Sequence, residues 1–346
     1  MEEIMNSVKL ATAAFAVAIS SLAVPAHAAG NLNVICSADQ QVCDLMKGLF
    51  EKQTDISVNM VRLSAGETYA KIRAEARNPK TDIWWAGTGD PHLQAASEGL
   101  TLEYRSPLFD QLQDWAKKQA ESANFRTVGV YAGALGWGYN TEILQKKGLK
   151  EPKCWADLLD PSYKGEIQIA NPNSSGTSYN TLATLVQIMG EDKAFEYLAK
   201  LNANISQYTK SGSAPVKAAA RGESTIGVVF MHDAVAQTVE GFPIKAIAPC
   251  EGTGYEIGSM SIVKGAKNLE NAKKWYDWAL SADAQSHMKD AKSFQLPSNK
   301  SAEVPKEAPK FEDIKLIDYD FKKYGDPDVR KALLSRWDKE IGAKAN

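Results

Sequence analysis

Apolar and polar positions along this chain follow two periods that keep exchanging places. After a short strand-like segment from Asn33 to Ile35, Gln40 to Gln53 puts Val42, Leu45, Met46, Leu49 and Phe50 at three- and four-residue spacing, the stripe of an amphipathic helix. Ser57 to Leu63 alternates as a strand, Glu67 to Arg77 reads as a helix, and Asp82 to Ala86 as a strand. That strand runs into Gly87-Thr88-Gly89-Asp90 and a helix from Pro91 to Glu98. A second series follows, with strands at Val128 to Tyr139, Glu166 to Ala170 and Ser224 to Phe230. Its helices fall at Thr181 to Met189, Lys193 to Leu201 and Val216 to Arg221. Ser259 to Val263 is one more strand and Asn271 to Ser281 one more helix. A last helix lies near Asp328 to Ile341, after a stretch from Ser298 to Lys310 rich in Pro, Lys and Glu. Strands alternating with helices predict an α/β protein with largely parallel sheets. No internal repeat is visible.

The first residues belong to a different pattern. Leu10 to Val24 is apolar, follows Lys9 and leads into Pro25-Ala26-His27-Ala28. This is the layout of a secretory signal peptide, with Ala26 and Ala28 as the small residues before a cut between Ala28 and Ala29. The run is shorter than the roughly 20 residues of a membrane span. Glu2 and Glu3 sit badly in a positive leader, a conflict that a start at Met5 removes. Export to the periplasm is therefore expected. Without a cysteine at the cut, no lipid anchor is expected.

Composition narrows the partners. A chain of 346 residues is more often two domains than one, and 44% apolar content suffices for folded cores. A formal net charge of −2 gives no electrostatic reason to expect nucleic acid or an anionic membrane. Cys36, Cys43, Cys154 and Cys250 all follow the leader, in a compartment where disulfides persist. No CxxC or Cys/His cluster argues for metal instead. Of the three possible pairings, Cys36–Cys43 with Cys154–Cys250 is preferred, because the first pair joins a strand end to the helix after it.

The segments Trp155-Ala156-Asp157-Leu158-Leu159-Asp160-Pro161-Ser162-Tyr163-Lys164-Gly165, Ile169-Ala170-Asn171-Pro172 and Ala219-Ala220-Arg221-Gly222-Glu223 carry more specific information. So does the helix with Trp275 and Trp278 ahead of Ala284-Gln285. In order and spacing they resemble the ferric-ion-binding-protein-like family of periplasmic solute-binding proteins, over nearly all of the chain beyond the leader. The resemblance implies a two-lobed periplasmic-binding-protein fold of type II-like organisation. Each lobe would be a mostly parallel sheet flanked by helices, with the ligand in the cleft and the lobes closing on it. On this chain that assigns residues 29–130 and 258–297 to one lobe and 131–257 to the other, with 298–346 as a helical tail packing on the second. It also implies a monomeric carrier without catalysis or cofactor, delivering a small molecule to the membrane permease subunits of an ABC importer.

Fold does not fix the ligand, which must come from the loops beyond the strand ends. Four such loops are rich in hydroxyls and small residues and contain no Lys or Arg: Ser37-Ala38-Asp39, Gly87-Thr88-Gly89-Asp90, Asn173 to Ser178, and Ser211-Gly212-Ser213. Hydroxyls and helix N-terminal N–H groups donate to a dehydrated anion, so Ser37, Thr88, Ser175, Gly176, Thr177 and Ser213 are candidate phosphate contacts. Ser and Thr at helix starts serve equally as N-caps of their own helices. A second, acidic group is His232, Asp233 and Glu256. In the iron-binding members of the family an adjacent tyrosine pair lies at about this strand end. Here the residues are Phe230-Met231-His232-Asp233, with no such tyrosine pair to complete the hard, largely anionic oxygen set that iron needs. Carboxylates suit vicinal hydroxyls, and repulsion places them away from phosphate. His232-Asp233 also reads as a capping pair for the helix that follows.

An anion pocket beside a hydroxyl pocket resembles the hexose-phosphate-binding members of the family. Their sugar-contacting His, Asp and Glu match His232, Asp233 and Glu256, and Ser37, Thr88, Ser175 and Thr177 fall on the phosphate side. Trp84, Trp85 and Tyr255 are candidates to stack on a sugar face, or else core. The alternatives are a ferric or other metal carrier, or a carrier of another organophosphate, a phosphonate or inorganic phosphate. A periplasmic hydrolase is disfavoured, since the chain has no GxSxG elbow, HExxH or paired nucleophile and base.

Overall fold

The structure is a computed structural model describing residues 30–344. The leader and its cleavage point lie outside the described residues. In chain order the elements are β1 (Asn31–Cys36), α1 (Gln40–Thr54), β2 (Ser57–Arg62), α2 (Ala65–Ala74), β3 (Ile83–Trp85), α3 (Gly89–Ser97), α4 (Asp114–Ser122) and β4 (Val128–Asn140). Then come α5 (Thr141–Lys146), β5 (Ile167–Ala170), α6 (Gly176–Met189), α7 (Glu191–Leu201), β6 (Ile205–Thr209), α8 (Ala214–Arg221), β7 (Ile226–Phe230), α9 (Met231–Val239) and β8 (Ile244–Ile247). The chain ends with β9 (Tyr255–Ile262), α10 (Leu269–Ala279), α11 (Ala282–Ser286), β10 (Leu296–Pro297), α12 (Phe321–Tyr324) and α13 (Pro327–Glu340). No described helix is long and apolar enough to cross a membrane.

The strands run in the order β2-β1-β3-β9-β4-β7-β5-β6, with β8 and β10 also on β4. Strands of successive strand–helix units pair in parallel, as β1 does with β2 and β3, and β5 with β6 and β7. The strands that cross between the two halves, β4 and β9, pair antiparallel with each other and with their other neighbours. The result is a mixed α/β fold with two cores. Val34, Met46, Phe50, Trp85, Val130 and Trp275 belong to the first, and Trp137, Trp155, Tyr179, Phe195 and Phe230 to the second. β4 is buried at all thirteen positions and serves both, contributing Val128, Val130 and Tyr131 to one and Leu135, Trp137 and Tyr139 to the other. Tyr319, Tyr324, Leu333 and Trp337, from the end of the chain, join the second core.

Most expected elements are present, and the differences have physical reasons. α4 buries only Ala116, Gln119 and Ala120, too small a stripe to read from apolar spacing. β6 and β8 are short and half exposed, so they lack an alternating apolar face. Three helices begin earlier than their apolar periods, α3 at Gly89, α6 at Gly176 and α8 at Ala214, because they open on small or polar residues and Pro: Gly89-Asp90, Gly176-Thr177-Ser178 and Ala214-Pro215.

Both expected disulfides are present. Cys36–Cys43 ties the end of β1 to the first turns of α1, with Cα atoms 5.9 Å apart. Cys154–Cys250 closes a separation of 96 residues within the second half. Cross-linking so long a loop restricts the unfolded chain more than the native one. Replacing Cys154 and Cys250 together by Ser is therefore expected to lower the unfolding free energy by about 2–5 kcal/mol. Urea denaturation checks this; an unchanged midpoint would mean that the packing of Trp155 and Tyr197 holds this region alone.

Candidate functional site

Five helix N-termini open on one cleft. The N-cap residues are Asp39 for α1, Thr88 for α3, Ser175 for α6, Ser213 for α8 and Phe230 for α9. The first turn of a helix has N–H groups without intrahelical partners and carries about half a positive charge. Only Ser175 caps with its side chain, accepting from Ser178 N at 3.4 Å. The other four make no side-chain cap bond, so Thr88 and Ser213 are not ordinary N-caps, and neither His232 nor Asp233 caps α9. Thr88 Oγ1 is buried without any hydrogen-bond partner. Ser213 donates instead to Asp39 Oδ1 at 2.6 Å.

The two halves meet closely around these termini. A methyl group on Gly176 would stand 1.8 Å from Thr88 Oγ1, so only glycine lets the α6 terminus approach the α3 terminus this closely. Gly66 N donates to Ser174 O at 3.0 Å, and Arg62 Nη2 to Ser211 Oγ at 3.0 Å. Lys217 Nζ reaches Asp39 Oδ2 at 2.7 Å. Burial pushes the Asp39 carboxyl up, but the charge of Lys217, hydrogen bonds from Lys217 and Ser213, and Arg62 beyond outweigh it and hold it below its ordinary value. The expectation of donors without any counter-charge needs correction here. The four loops lack Lys and Arg, but Arg62 from the end of β2 and Lys292 both line the cleft.

His232, Asp233 and Glu256 converge on the same cleft. Glu256 is part of β9 and pairs with Gly133 of β4. A Cβ on Gly133 would lie 2.5 Å from His232 Nδ1, so the missing side chain is what admits the imidazole beside Glu256. The ring stacks on Phe230 with centroids 5.7 Å apart, and its Nε2 lies 3.1 Å from Gln295 Nε2. Burial depresses the His232 pKa to about 3, against a small opposing effect of the Asp39 charge. Burial also pushes Asp233 well above the usual carboxyl range, reinforced by Asp39 and opposed in part by the charges of Lys217 and Arg62, and Glu256 likewise, reinforced by Asp233 and then Asp90.

All nine residues expected to bind line this single cleft: Ser37, Thr88, Ser175, Gly176, Thr177, Ser213, His232, Asp233 and Glu256. The three aromatic candidates do not. Trp84 is wholly buried, stacks on His92 at 3.6 Å and donates to Ser37 Oγ at 3.0 Å, so it positions a cleft hydroxyl. Trp85 belongs to the first core, and Tyr255 packs on Phe311, Tyr319 and Phe321. Sequence reasoning missed Arg62, which ends an alternating strand and reads as its solvent face, and Gln295, which follows no period. It also missed Tyr131, which reads as core. Tyr131 Oη accepts from Gly87 N at 2.9 Å, which leaves its proton free for the cleft. Among the described residues, one group of three His, Cys, Asp or Glu side chains lies within metal-ligating reach. It is Cys154, Cys250 and Glu251, far from this cleft, with both thiols in a disulfide.

Comparison with known proteins gives this geometry a setting. Residues 78–323 match the model of the family described as bacterial extracellular solute-binding proteins. An uncharacterized protein of Haemophilus influenzae is 45% identical over 98% of both chains. The structure of the periplasmic binding protein AfuA from Actinobacillus pleuropneumoniae, with exogenous fructose-6-phosphate bound, is 47% identical. It covers 90% of this chain and 99% of that one, with a TM-score of 0.88. Iron-bound HitA from Pseudomonas aeruginosa covers 88% of this chain and 98% of its own at a TM-score of 0.75. At 18% identity that likeness concerns the fold alone.

The depressed imidazole gives a direct check on the electrostatics of the cleft. His232 and the equally buried His92, also held near pKa 3, are expected to stay neutral from pH 8 down to about 4 in an NMR titration. Because the folded pKa values lie below the unfolded value of about 6.5, both residues favour folding above that pH. That contribution is lost as pH falls from about 6.5 toward 3. Titration of His232 near 6 would show that the cleft is wetter than its packing implies.

Proposed function

The chain belongs to the bacterial extracellular solute-binding protein family and is the periplasmic binding component of an ABC importer; from that premise we propose that its cargo is a hexose phosphate. The carrying observation is the convergence of uncapped helix N-termini, Arg62 and an unpartnered Thr88 hydroxyl in one cleft with two carboxyls, Glu256 buried and Asp233 half-buried. Ser37, Thr88, Ser175, Gly176, Thr177 and Ser213 hold the phosphate on this reading. Charge-assisted hydrogen bonds contribute about 1.5–3 kcal/mol each, so four or five reach the roughly 8 kcal/mol of micromolar affinity. His232, Asp233 and Glu256 take the sugar, away from the phosphate. The bound fructose-6-phosphate of AfuA at 47% identity supports the ligand class. The contacts between α6 and Thr88, and between Asp39 and Ser213 with Lys217, are those of a closed cleft, and we propose that they form as the two lobes close on ligand.

Mass spectrometry of small molecules released on denaturing protein purified from the periplasm tests the class directly. A released hexose phosphate is the expected result; bound iron with no organophosphate would overturn the reading. The phosphate end has its own test. Gly176→Ala places a methyl against Thr88, and Ser175→Ala with Thr177→Ala removes two hydroxyls. Each protein is expected to lose at least tenfold in affinity for glucose 6-phosphate by calorimetry, about 1.4 kcal/mol or more, with a much smaller change in thermal stability.

At the other end, Asp233→Ala and Glu256→Ala are each expected to weaken hexose phosphate about tenfold to a hundredfold, because a buried hydroxyl without its acceptor costs about 1–3 kcal/mol. Their affinity for inorganic phosphate should hardly change. Paired titrations with glucose 6-phosphate, glucose and phosphate read this out. Wild-type protein that binds glucose as tightly as its phosphate would defeat the division of the cleft into two ends.

A further inference from the structure

The two ends of the cleft have opposite and incomplete electrostatics. Every other ionised group there has a partner or a role. Asp39 is paired with Lys217, and Lys292 Nζ lies 3.0 Å from Glu240 Oε1. Arg62 makes no ion pair with a carboxylate: it donates to Ala38 O, Ser64 Oγ and Ser211 Oγ, and its charge acts only from beyond contact distance on Asp39 and Asp233, which leaves its guanidinium open to an anion. Asp233 and Glu256 are the reverse case. Glu256 is only 3% exposed, both residues line the cleft, and neither carboxyl accepts a hydrogen bond from any described residue. No described Lys or Arg forms an ion pair with either. Their nearest ring nitrogen, His232 Nε2, lies 3.6 and 3.8 Å away on an imidazole that burial keeps neutral.

A neutral sugar supplies hydrogen bonds to these carboxyls but no charge. Burying two like charges without a counter-ion is costly, and the groups answer either by keeping protons or by accepting a cation with the ligand. The upward displacement of both carboxyls by burial is the first answer. An ammonium supplies the second: a compact charge with three donors, placed where two acceptors have none. The geometry points to a zwitterionic ligand, an amino-sugar phosphate whose phosphate meets the helix N-termini and Arg62 while its ammonium meets Asp233 and Glu256.

This inference rests on the hexose-phosphate reading and narrows it, and calorimetry at pH 7.5 separates the two. The probes are glucosamine 6-phosphate, glucose 6-phosphate and inorganic phosphate. The amino sugar is expected to bind wild-type protein about tenfold more tightly than its neutral counterpart. Glu256→Gln and Asp233→Asn should each erase most of that advantage while leaving glucose 6-phosphate less affected. If glucose 6-phosphate binds as tightly as the amino sugar or more tightly, the inference falls and the hexose-phosphate reading stands. If neither sugar phosphate binds, both fall. An advantage that survives both substitutions would overturn the assignment to these carboxyls. Should a variant fail to fold, the wild-type comparison decides alone.

Discussion

Five helices point the positive ends of their dipoles at one small space, and four of them do so without a capping side chain. Such an arrangement is unfavourable in itself, since partial charges of about half a unit repel one another in a region shielded from water. The molecule answers with Asp39. Its carboxyl, kept ionised by Lys217 and Ser213 from the other half, is a standing negative charge within the ring of termini. The contact of Thr88 with Gly176, and the bonds from Arg62 to Ser211 and from Gly66 to Ser174, surround that charge. The apposition of the two halves depends on this balance. On the hexose-phosphate reading, the phosphate meets donors held mostly by helices rather than by mobile side chains.

The topology explains why the termini meet. In parallel strand–helix units every helix begins at the same edge of the sheet, the carboxyl end of the strands. Two such units facing each other across β4 and β9 therefore bring two sets of helix N-termini together. β4 can pass through both cores because it is buried along its whole length and carries glycine where other elements come close. At Gly133 that closeness has a chemical consequence, since the space left by the absent side chain holds the His232 ring against Glu256. One backbone feature thus serves the lobe connection and the acid end of the cleft together.

Much of this was legible in the chain. The order of strands and helices, the disulfide pairing, and the nine residues that line the cleft followed from periodicity, loop chemistry and family resemblance together. What escaped has a common cause. The first turns of α3, α6 and α8 carry no apolar period, so the pattern places the helix starts two to five residues late and their N-termini read as loops. Arg62 alternates in a strand as any solvent-facing residue would, and nothing local shows that the opposite half folds over it to put Ser211 at 3.0 Å. Trp84, Trp85 and Tyr255 misled in the other direction. Large aromatics beside binding loops look like stacking platforms, but packing claims all three, Trp84 and Trp85 fully buried and the half-buried Tyr255 against other aromatics, and only Trp84 touches the site, through Ser37. Residues that act locally can be read from sequence; contacts made across the two halves cannot.

The division of donors between the halves bears on release as much as on capture. On the hexose-phosphate reading, Ser37 and Thr88 come from one half and Ser175, Thr177 and Ser213 from the other, as do Glu256 on a crossing strand and Asp233 on α9. A hydrogen bond weakens steeply beyond normal contact distance, so separating the halves by a few ångströms removes one half's donors from the ligand at once. Long lysines would follow an anion as the cleft opened and keep it attached; helix N–H groups and short hydroxyls move rigidly with their lobe and cannot. A carrier must bind tightly in dilute solution and let go at the membrane. On this reading a pocket whose donors, Arg62 apart, are short, fixed and split between two bodies does both, because its affinity falls steeply as the halves part.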